Sequence, residues 1–298
     1  WDVEFKNRLE IEKGEFEKEV DNLRLEVMNV IKFDDLEKVD EYALAAEKLG
    51  RLLDKASEKV EDFHRREKLF GQNPADYFAL ESVLQTFVPY RRMWEISFRL
   101  TSSIQNWSST GLPKLSYKQV SQEIDNFNRD LNSLEGIFTG TREPSKVIAQ
   151  MKEKLKAFET NLPLLDALLK DCMTKKPNNW KKMFETLGLK PVLQTDNLHI
   201  LIQMGLKEKM EIIDEFVRRA DREYALDTRL QKDIQEKLKV TKVELIQHKG
   251  TDCQLFGNAD ALQLMIDDHL STLLTMKQLP YLGGLRKKVE ELERKLVG

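Results

Sequence analysis

Residues 36–63 read LEKVDEYALAAEKLGRLLDKASEKVEDF, and this stretch decides the fold class. Its apolar residues recur at spacings of three and four, which places them on one face of a helix. The members of this stripe are Leu36, Val39, Ala43, Ala46, Leu49, Leu53, Ala56, Val60 and Phe63. A helix over the whole stretch would be about 42 Å long at 1.5 Å per residue. The stretch therefore predicts a long amphipathic helix that acts as a strut.

A second stripe of the same kind precedes the strut. Its members are Leu9, Phe16, Val20, Leu23, Val27 and Val30. Between the two stripes, Asp34 or Asp35 offers a side-chain acceptor where the second helix begins. We therefore predict a long helical hairpin over residues 1–70, with its turn at about Lys32–Asp35.

Beyond residue 70 the chain divides into three further segments. Helices broken by Gly and Pro are predicted over 71–238, and within them Leu226, Leu230, Ile234 and Leu238 continue a long helix after an adjustment of its apolar face. Alternating apolar and polar residues around Gly250 predict a β-hairpin over 239–257. Because an isolated hairpin is marginal in water, we expect it to lie on the helices. Truncated C-terminal helices are predicted over 258–298.

Composition agrees with a mostly α fold, an elongated multi-helix bundle rod with one small β-hairpin. The 298 residues include only 13 Gly and 8 Pro, which is few for a sandwich or a barrel. The formal charge of −3 does not favour nucleic-acid binding. The sequence contains no apolar run of about 18 residues, so it predicts no membrane-spanning helix. Cys172 and Cys253 are isolated thiols, which favours neither a disulfide framework nor a zinc site. We expect a cytoplasmic protein that is part of a longer polypeptide.

A search for catalytic motifs finds no phosphate-binding loop, no nucleophile elbow and no HExxH zinc motif. Asp267-Asp268-His269 is the nearest approach to an acid/base or metal cluster. Consecutive residues on a helix point about 100° apart, so these side chains should diverge. A helical enzyme that uses them would require the three to converge in a pocket.

The densest basic patch, Lys175–Lys182, encloses Trp180. Its sequence permits two interpretations. In one, the lysines of the patch, Lys181 and Lys182 among them, meet an acidic partner such as tubulin, an ATPase ring or nucleic acid. In the other, the patch is a solvated loop whose Trp180 is anchored in the core, and we favour that role for the tryptophan.

Several phrases, in order along the chain, resemble the linker region of dynein heavy chains. The first are REKLFG at Arg66–Gly71, Tyr77, FVPY at Phe87–Tyr90 and Met93-Trp94. Further along are LPLL at Leu162–Leu165 followed by Trp180, Leu201–Leu206 with Ile212–Glu223, Val243–Gly250 with Leu255, and Ile266–His269 followed by Met276, Pro280 and Val289–Leu296. The ordered series covers about residues 30–296, and residues 34–94 resemble axonemal inner-arm heavy chains more than cytoplasmic ones.

This resemblance implies a mechanical role without catalysis in the segment itself. In dyneins the linker lies across a ring of AAA+ modules and swings as the ring binds and hydrolyses ATP. The resemblance places ATP and magnesium in that ring, and microtubule contact elsewhere in the full-length protein. It implies the ring of the same heavy chain as a partner, other dynein chains at the N-terminal helices, and a cytoskeletal location in a cilium or flagellum. Candidate structural or ring-contact residues are Trp180, Lys181, Lys182, His248, Lys249, Asp267, Asp268 and His269.

Two departures from the family pattern affect these candidates. Asn178-Asn179 stands where the family usually has a basic pair, and Gln247-His248 where an aromatic residue is common. A non-catalytic helical scaffold or cytoskeletal adaptor is the alternative function. The predicted β-hairpin separates the two, because a coiled-coil adaptor has no need of it.

Overall fold

The computed structural model describes residues 2–193, 196–247, 249–250, 254–279 and 282–297. The α-helices in chain order are α1 (Asp2–Val30), α2 (Val39–Leu69), α3 (Phe78–Ser109), α4 (Tyr117–Ile137), α5 (Arg142–Glu159), α6 (Leu162–Leu169), α7 (Asp171–Thr174), α8 (Pro177–Leu187), α9 (Leu198–Gln203), α10 (Met210–Arg229), α11 (Lys237–Val240), α12 (Ala259–Lys277) and α13 (Arg286–Val297). The strands are β1 (Leu245–Gln247) and β2 (Gln254–Phe256). The mostly α fold with one small hairpin is confirmed. None of the described helices is long and apolar enough to cross a membrane.

The chain divides into two compact units. The first comprises Trp1–Thr110, Lys114–Leu162 and Asn197–His199, and the second comprises Gly111–Pro113, Pro163–Asp196 and Ile200–Gly298. These units are defined by which residues pack together, whereas the four segments derived from the sequence are defined by changes in residue pattern and by Gly and Pro breaks. The four-segment division stays a prediction.

The predicted N-terminal helical hairpin is confirmed. Helices α1 and α2 are joined by a turn with a short 3-10 helix at Leu36–Lys38, and the Asp35 carboxylate accepts a hydrogen bond from the Glu37 N–H at 3.0 Å. This bond satisfies a donor that the helix start would leave without a partner. Helix α2 begins three residues later than the sequence indicates and continues to Leu69, which gives it a length of about 46 Å.

Aromatic packing joins this hairpin to α3 in the first unit. Phe33 stacks on Tyr42 with ring centroids 3.9 Å apart, and Tyr42 meets the edge of the fully buried Trp94 at 5.1 Å. Each buried aromatic ring removes a large apolar area from water, so this cluster is a major source of stability. The cluster fixes the start of α2 against the middle of α3.

A buried ion pair holds the connection between α2 and α3. The Glu67 carboxylate lies 2.6 Å from Lys13 Nζ and accepts a hydrogen bond from the Ala75 N–H at 3.0 Å. His64 Nε2 donates to the Ala75 carbonyl at 2.8 Å. Burial would raise the pKa of Glu67, but the bonds from Lys13 and Ala75 outweigh it and hold that pKa below its ordinary value. The loop after α2 is thereby fixed to α1 by charge and by hydrogen bonds.

In the second unit, the helix that begins at Met210 changes its winding at a π-helical segment, Leu230–Glu236, before α11. Apolar residues spaced by four advance about 40° per step on an α-helix, so a strict repeat drifts off one face. The wider turn of a π-helix counters that drift. Leu230 and Ile234 are accordingly both fully buried, in a cluster with Leu273, Met276, Leu282, Leu285, Val289 and Leu292. The change of winding begins at Leu230, whereas the sequence predicts the adjustment before Leu226, where the α-helix is continuous.

The β-hairpin pairs β1 with β2 antiparallel, in the register Leu245 to Phe256, Ile246 to Leu255 and Gln247 to Gln254. All six strand residues are exposed. The expectation that the hairpin lies on the helices is therefore wrong. Consecutive strand residues point to opposite faces, so the pairs Leu245-Ile246 and Leu255-Phe256 put apolar side chains on both faces. One layer of helices covers at most one such face, and here neither is covered by the described residues.

Candidate interaction surfaces

Trp180 is a core residue. It lies on α8, which starts at Pro177 and ends at Gly188 in the left-handed conformation, and its side chain is 5% exposed. The indole Nε1 donates to the Val192 carbonyl at 2.8 Å, and the ring packs 5.4 Å from that of Phe184. The interpretation of Trp180 as a core anchor is confirmed, since it ties the segment after α8 to the helix itself.

The lysines around Trp180 separate into two groups. Lys175, at the end of α7, pairs with Asp171 at the start of the same helix at 2.9 Å. Lys176 pairs with Asp227 at 2.7 Å. Lys181 and Lys182 are exposed, and among the described residues neither side chain has an ion pair. The second group therefore supplies the lysines of this patch whose charges are not already paired within the described part of the chain.

Asp227 is a junction that the sequence did not indicate. Its carboxylate accepts from Lys176 Nζ at 2.7 Å and from Lys288 Nζ at 2.6 Å, so it connects α8, α10 and α13. Burial would raise the pKa of Asp227, but the bonds from the two lysines hold it below its ordinary value. The two lysines are 51 and 61 residues away from Asp227 along the chain, and local sequence patterns do not predict contacts between residues so far apart.

The Asp267-Asp268-His269 group diverges as helical geometry predicts. Asp267 and Asp268 are exposed, and Asp267 accepts from Gln263 at 3.0 Å on the same helix. His269 is 4% exposed, and its Nε2 has no hydrogen-bond partner in the described part of the chain. No group of three or more His, Cys, Asp or Glu residues in that part is arranged to hold a metal ion. These three residues do not converge in a pocket.

Cys172 is a fully buried thiol in α7, with its Sγ 4.0 Å from the Val217 carbonyl. Burial, with the nearby Asp221 carboxylate, raises the pKa of Cys172 to about 11. A thiol in this state has little thiolate at neutral pH and is a poor nucleophile. Cys253 lies outside the described residues.

The exposed hairpin is the most apolar surface among the sequence-derived candidates. Leu245 and Ile246 are each 55% exposed, Leu255 is 48% exposed and Phe256 is 62% exposed. Lys249 is exposed in the turn between the strands, while His248 lies outside the described residues. The sequence contained a signal for this surface, because adjacent apolar residues in both strands cannot share one face.

Asn258 attaches the hairpin to α12. Asn258 occupies the N-cap position of this helix, but its side chain makes no capping hydrogen bond there. Its side chain serves the hairpin instead, because Oδ1 accepts from the Glu244 N–H at 3.2 Å and Nδ2 donates to the Lys242 carbonyl at 3.0 Å. The two strands are thus held at their base and exposed beyond it.

The fold and these surfaces define a helical packing module that presents an apolar β-hairpin. Residues 80–298 match the family described as dynein heavy chain, N-terminal region 2. This match covers most of the chain, which therefore belongs to the dynein heavy chain family. The resemblance seen in the sequence is confirmed.

Individual relatives agree with this assignment. Human dynein axonemal heavy chain 3 is 24% identical over 251 residues, which cover 84% of this chain and 6% of the relative. Mouse dynein axonemal heavy chain 1 is 19% identical over 288 residues, which cover 96% of this chain and 7% of the relative. Human dynein axonemal heavy chain 6 is 22% identical over 286 residues, which cover 95% of this chain and 7% of the relative. The chain thus spans only 6 to 7% of the length of these relatives.

Proposed function

We propose that this chain is the linker segment of an axonemal dynein heavy chain, lies across the AAA+ ring of that heavy chain, and swings with its ATP cycle. The observation that carries the proposal is the family match over residues 80–298. The segment itself is non-catalytic, and ATP and magnesium are bound by the ring. Microtubules are contacted only through the full-length protein, in the axoneme of a cilium or flagellum.

The exposed hairpin supports a contact with the ring. The burial of apolar surface stabilises an association by about 25 cal/mol per Å². Such surface is exposed on both faces of the hairpin, at Leu245, Ile246, Leu255 and Phe256. Lys181, Lys182 and Lys249 are the basic side chains that we assign to the polar rim of this contact. Other dynein chains bind the N-terminal helices in this proposal.

Fluorescence energy transfer in the full-length heavy chain tests the swing. A donor placed at Lys249→Cys and an acceptor on the ring should show different transfer efficiencies in ATP and ADP. Identical efficiencies in both nucleotides, with acceptors at two separate ring positions, would contradict the linker role.

The apolar contact has its own test in a microtubule gliding assay with the same full-length protein. Phe256→Asp should reduce gliding velocity at least two-fold and leave basal ATP hydrolysis by the ring intact. Phe78→Asp is the matched control, because Phe78 is 69% exposed at the start of α3 and lies far along the chain from the hairpin. Equal velocities for the two variants would rule out the hairpin as the contact.

A further inference from the structure

A groove of about 360 Å³ opens between α2 and α3 in the first unit. This volume is within the range of about 300 to 1,000 Å³ that is typical of ligand pockets. Its lining includes Asp40, Ala43, Leu44, Glu47, Glu95 and Phe98. The groove shares no element with the β-hairpin. Its wall on α2 belongs to the N-terminal helices to which the proposed function assigns other dynein chains, so a partner at this groove rests on that assignment and makes it more specific.

The floor of the groove is apolar and uncovered. Leu44 is 55% exposed on α2, and Phe98 is 43% exposed on α3. The adjoining apolar residues Ala46 and Leu49 are 1% and 3% exposed, so the two helices are well packed just beneath the groove. Leu44 and Phe98 thus face solvent from two neighbouring helices that already have a complete core.

The negative charge of Glu47, in the wall of the groove, is neutralised by Arg91 of the same chain. Arg91 lies across α2, 3.4 Å from Glu47 and 3.1 Å from Asp54. Glycine at position 50 permits this, because a Cβ there would be 2.5 Å from Arg91 Nε. Arg91 therefore closes one end of the groove, and its positive charge is paired with the α2 carboxylates of Glu47 and Asp54.

The remaining charge in the groove is negative. Asp40 and Glu95 are exposed carboxylates, and neither has an ion pair among the described residues. Asp40 is seven residues from Glu47 on α2, or about 10 Å along the helix axis. The groove thus combines an apolar floor with two free carboxylates, over a length of two helical turns.

We propose that this groove binds a cationic amphipathic helix of a partner protein. Such a helix places apolar anchors spaced by three and four residues into a groove between helices. Its anchors would cover Leu44 and Phe98, and its Lys or Arg side chains would face Asp40 and Glu95. Charge complementarity selects this occupant over an acidic helix, which the two carboxylates repel.

Fluorescence anisotropy with a designed peptide tests the proposal on the 298-residue chain. The probe is a labelled 14-residue helix with leucines at positions i, i+3, i+4 and i+7 and lysines elsewhere, and the comparison peptide carries glutamates in place of the lysines. We expect the lysine peptide to bind at least ten-fold more tightly, and the preference to shrink at high salt. Equal affinity for the two peptides, or no binding of the lysine peptide, would overturn the proposal.

Matched variants locate the binding. Leu44→Ala and Glu95→Lys should each weaken the lysine peptide about ten-fold. Their controls are Leu52→Ala, an exposed leucine elsewhere on α2, and Glu58→Lys, an exposed carboxylate outside the groove. All four positions are on the surface, so the free energy of unfolding should change little in every variant. A loss of affinity that is the same in the groove and control variants would overturn the assignment to this groove.

Discussion

The second unit contains two aromatic residues, Trp180 and Phe256, whose surroundings are opposite. Trp180 stands among lysines, as a contact residue would, and yet its ring is 5% exposed with its Nε1 hydrogen-bonded to Val192. Phe256 is in a hairpin that was expected to pack on helices, and it is 62% exposed. Charged neighbours along the chain therefore do not indicate exposure, and apolar character does not indicate burial. Burial depends on whether another element covers the side chain.

Trp180→Ala should have the largest effect of the substitutions that test this comparison. It should lower the free energy of unfolding by about 3–5 kcal/mol. The substitution leaves a cavity beside Phe184 and frees the Val192 carbonyl. Urea denaturation measures the loss. Trp180→Phe is the control that keeps most of the ring and should lose roughly 1 kcal/mol for the missing N–H donor. An unchanged urea midpoint for Trp180→Ala would place Trp180 on the surface.

Asp227→Asn should cost about 1 kcal/mol at neutral pH, since Lys176 and Lys288 are 45% and 34% exposed and solvent weakens both bonds. Because the folded pKa of Asp227 is below its ordinary value, the carboxylate stabilises the fold above the unfolded pKa of about 3.9. This stabilisation is lost as pH falls through the lower, folded pKa.

Urea midpoints measured from pH 7 down to pH 2 test this account of Asp227. The difference between the original chain and Asp227→Asn should shrink across the acidic part of the range. Asp233→Asn is the surface control, because Asp233 is 54% exposed and 3.7 Å from Arg229. A gap between the original chain and Asp227→Asn that stays constant down to pH 2 would mean that the charge of Asp227 is not what stabilises the junction.

Asn258→Ala should open the hairpin without unfolding the unit. The substitution removes the bonds to Glu244 and Lys242, worth about 1 kcal/mol in total because both are exposed. Hydrogen exchange of the hairpin amides should accelerate roughly five-fold, while that of α8 amides stays the same. Faster exchange in both regions would show that the hairpin and the Trp180 core unfold together.

Phe256→Ala should have the smallest effect, within about 0.5 kcal/mol of the original free energy of unfolding. An exposed ring has little burial to lose. The comparison with Trp180→Ala in the same urea experiment is direct, since both substitutions remove an aromatic ring. A loss above 2 kcal/mol would mean that Phe256 is covered within this chain.

Much of the fold could be predicted because it depends on local patterns. The helical hairpin follows from apolar spacing and from the Asp35 acceptor, and the divergence of Asp267, Asp268 and His269 follows from helical geometry. The bonds of Asp227 and the groove beside Leu44 could not be predicted in this way. Each depends on residues from different helices, and their separation in sequence carries no periodic signal.

The sequence by itself determined the helical class, the long N-terminal hairpin, the β-hairpin as an element, and the membership in the dynein heavy chain family. These properties depend on backbone preferences and on the order of residues, which are present before any packing. Only the tertiary structure decided that Trp180 is covered, that the β-hairpin is exposed and that Arg91 closes a groove over Gly50. Exposure and ion pairing depend on which surfaces meet, and that is a property of the packed chain.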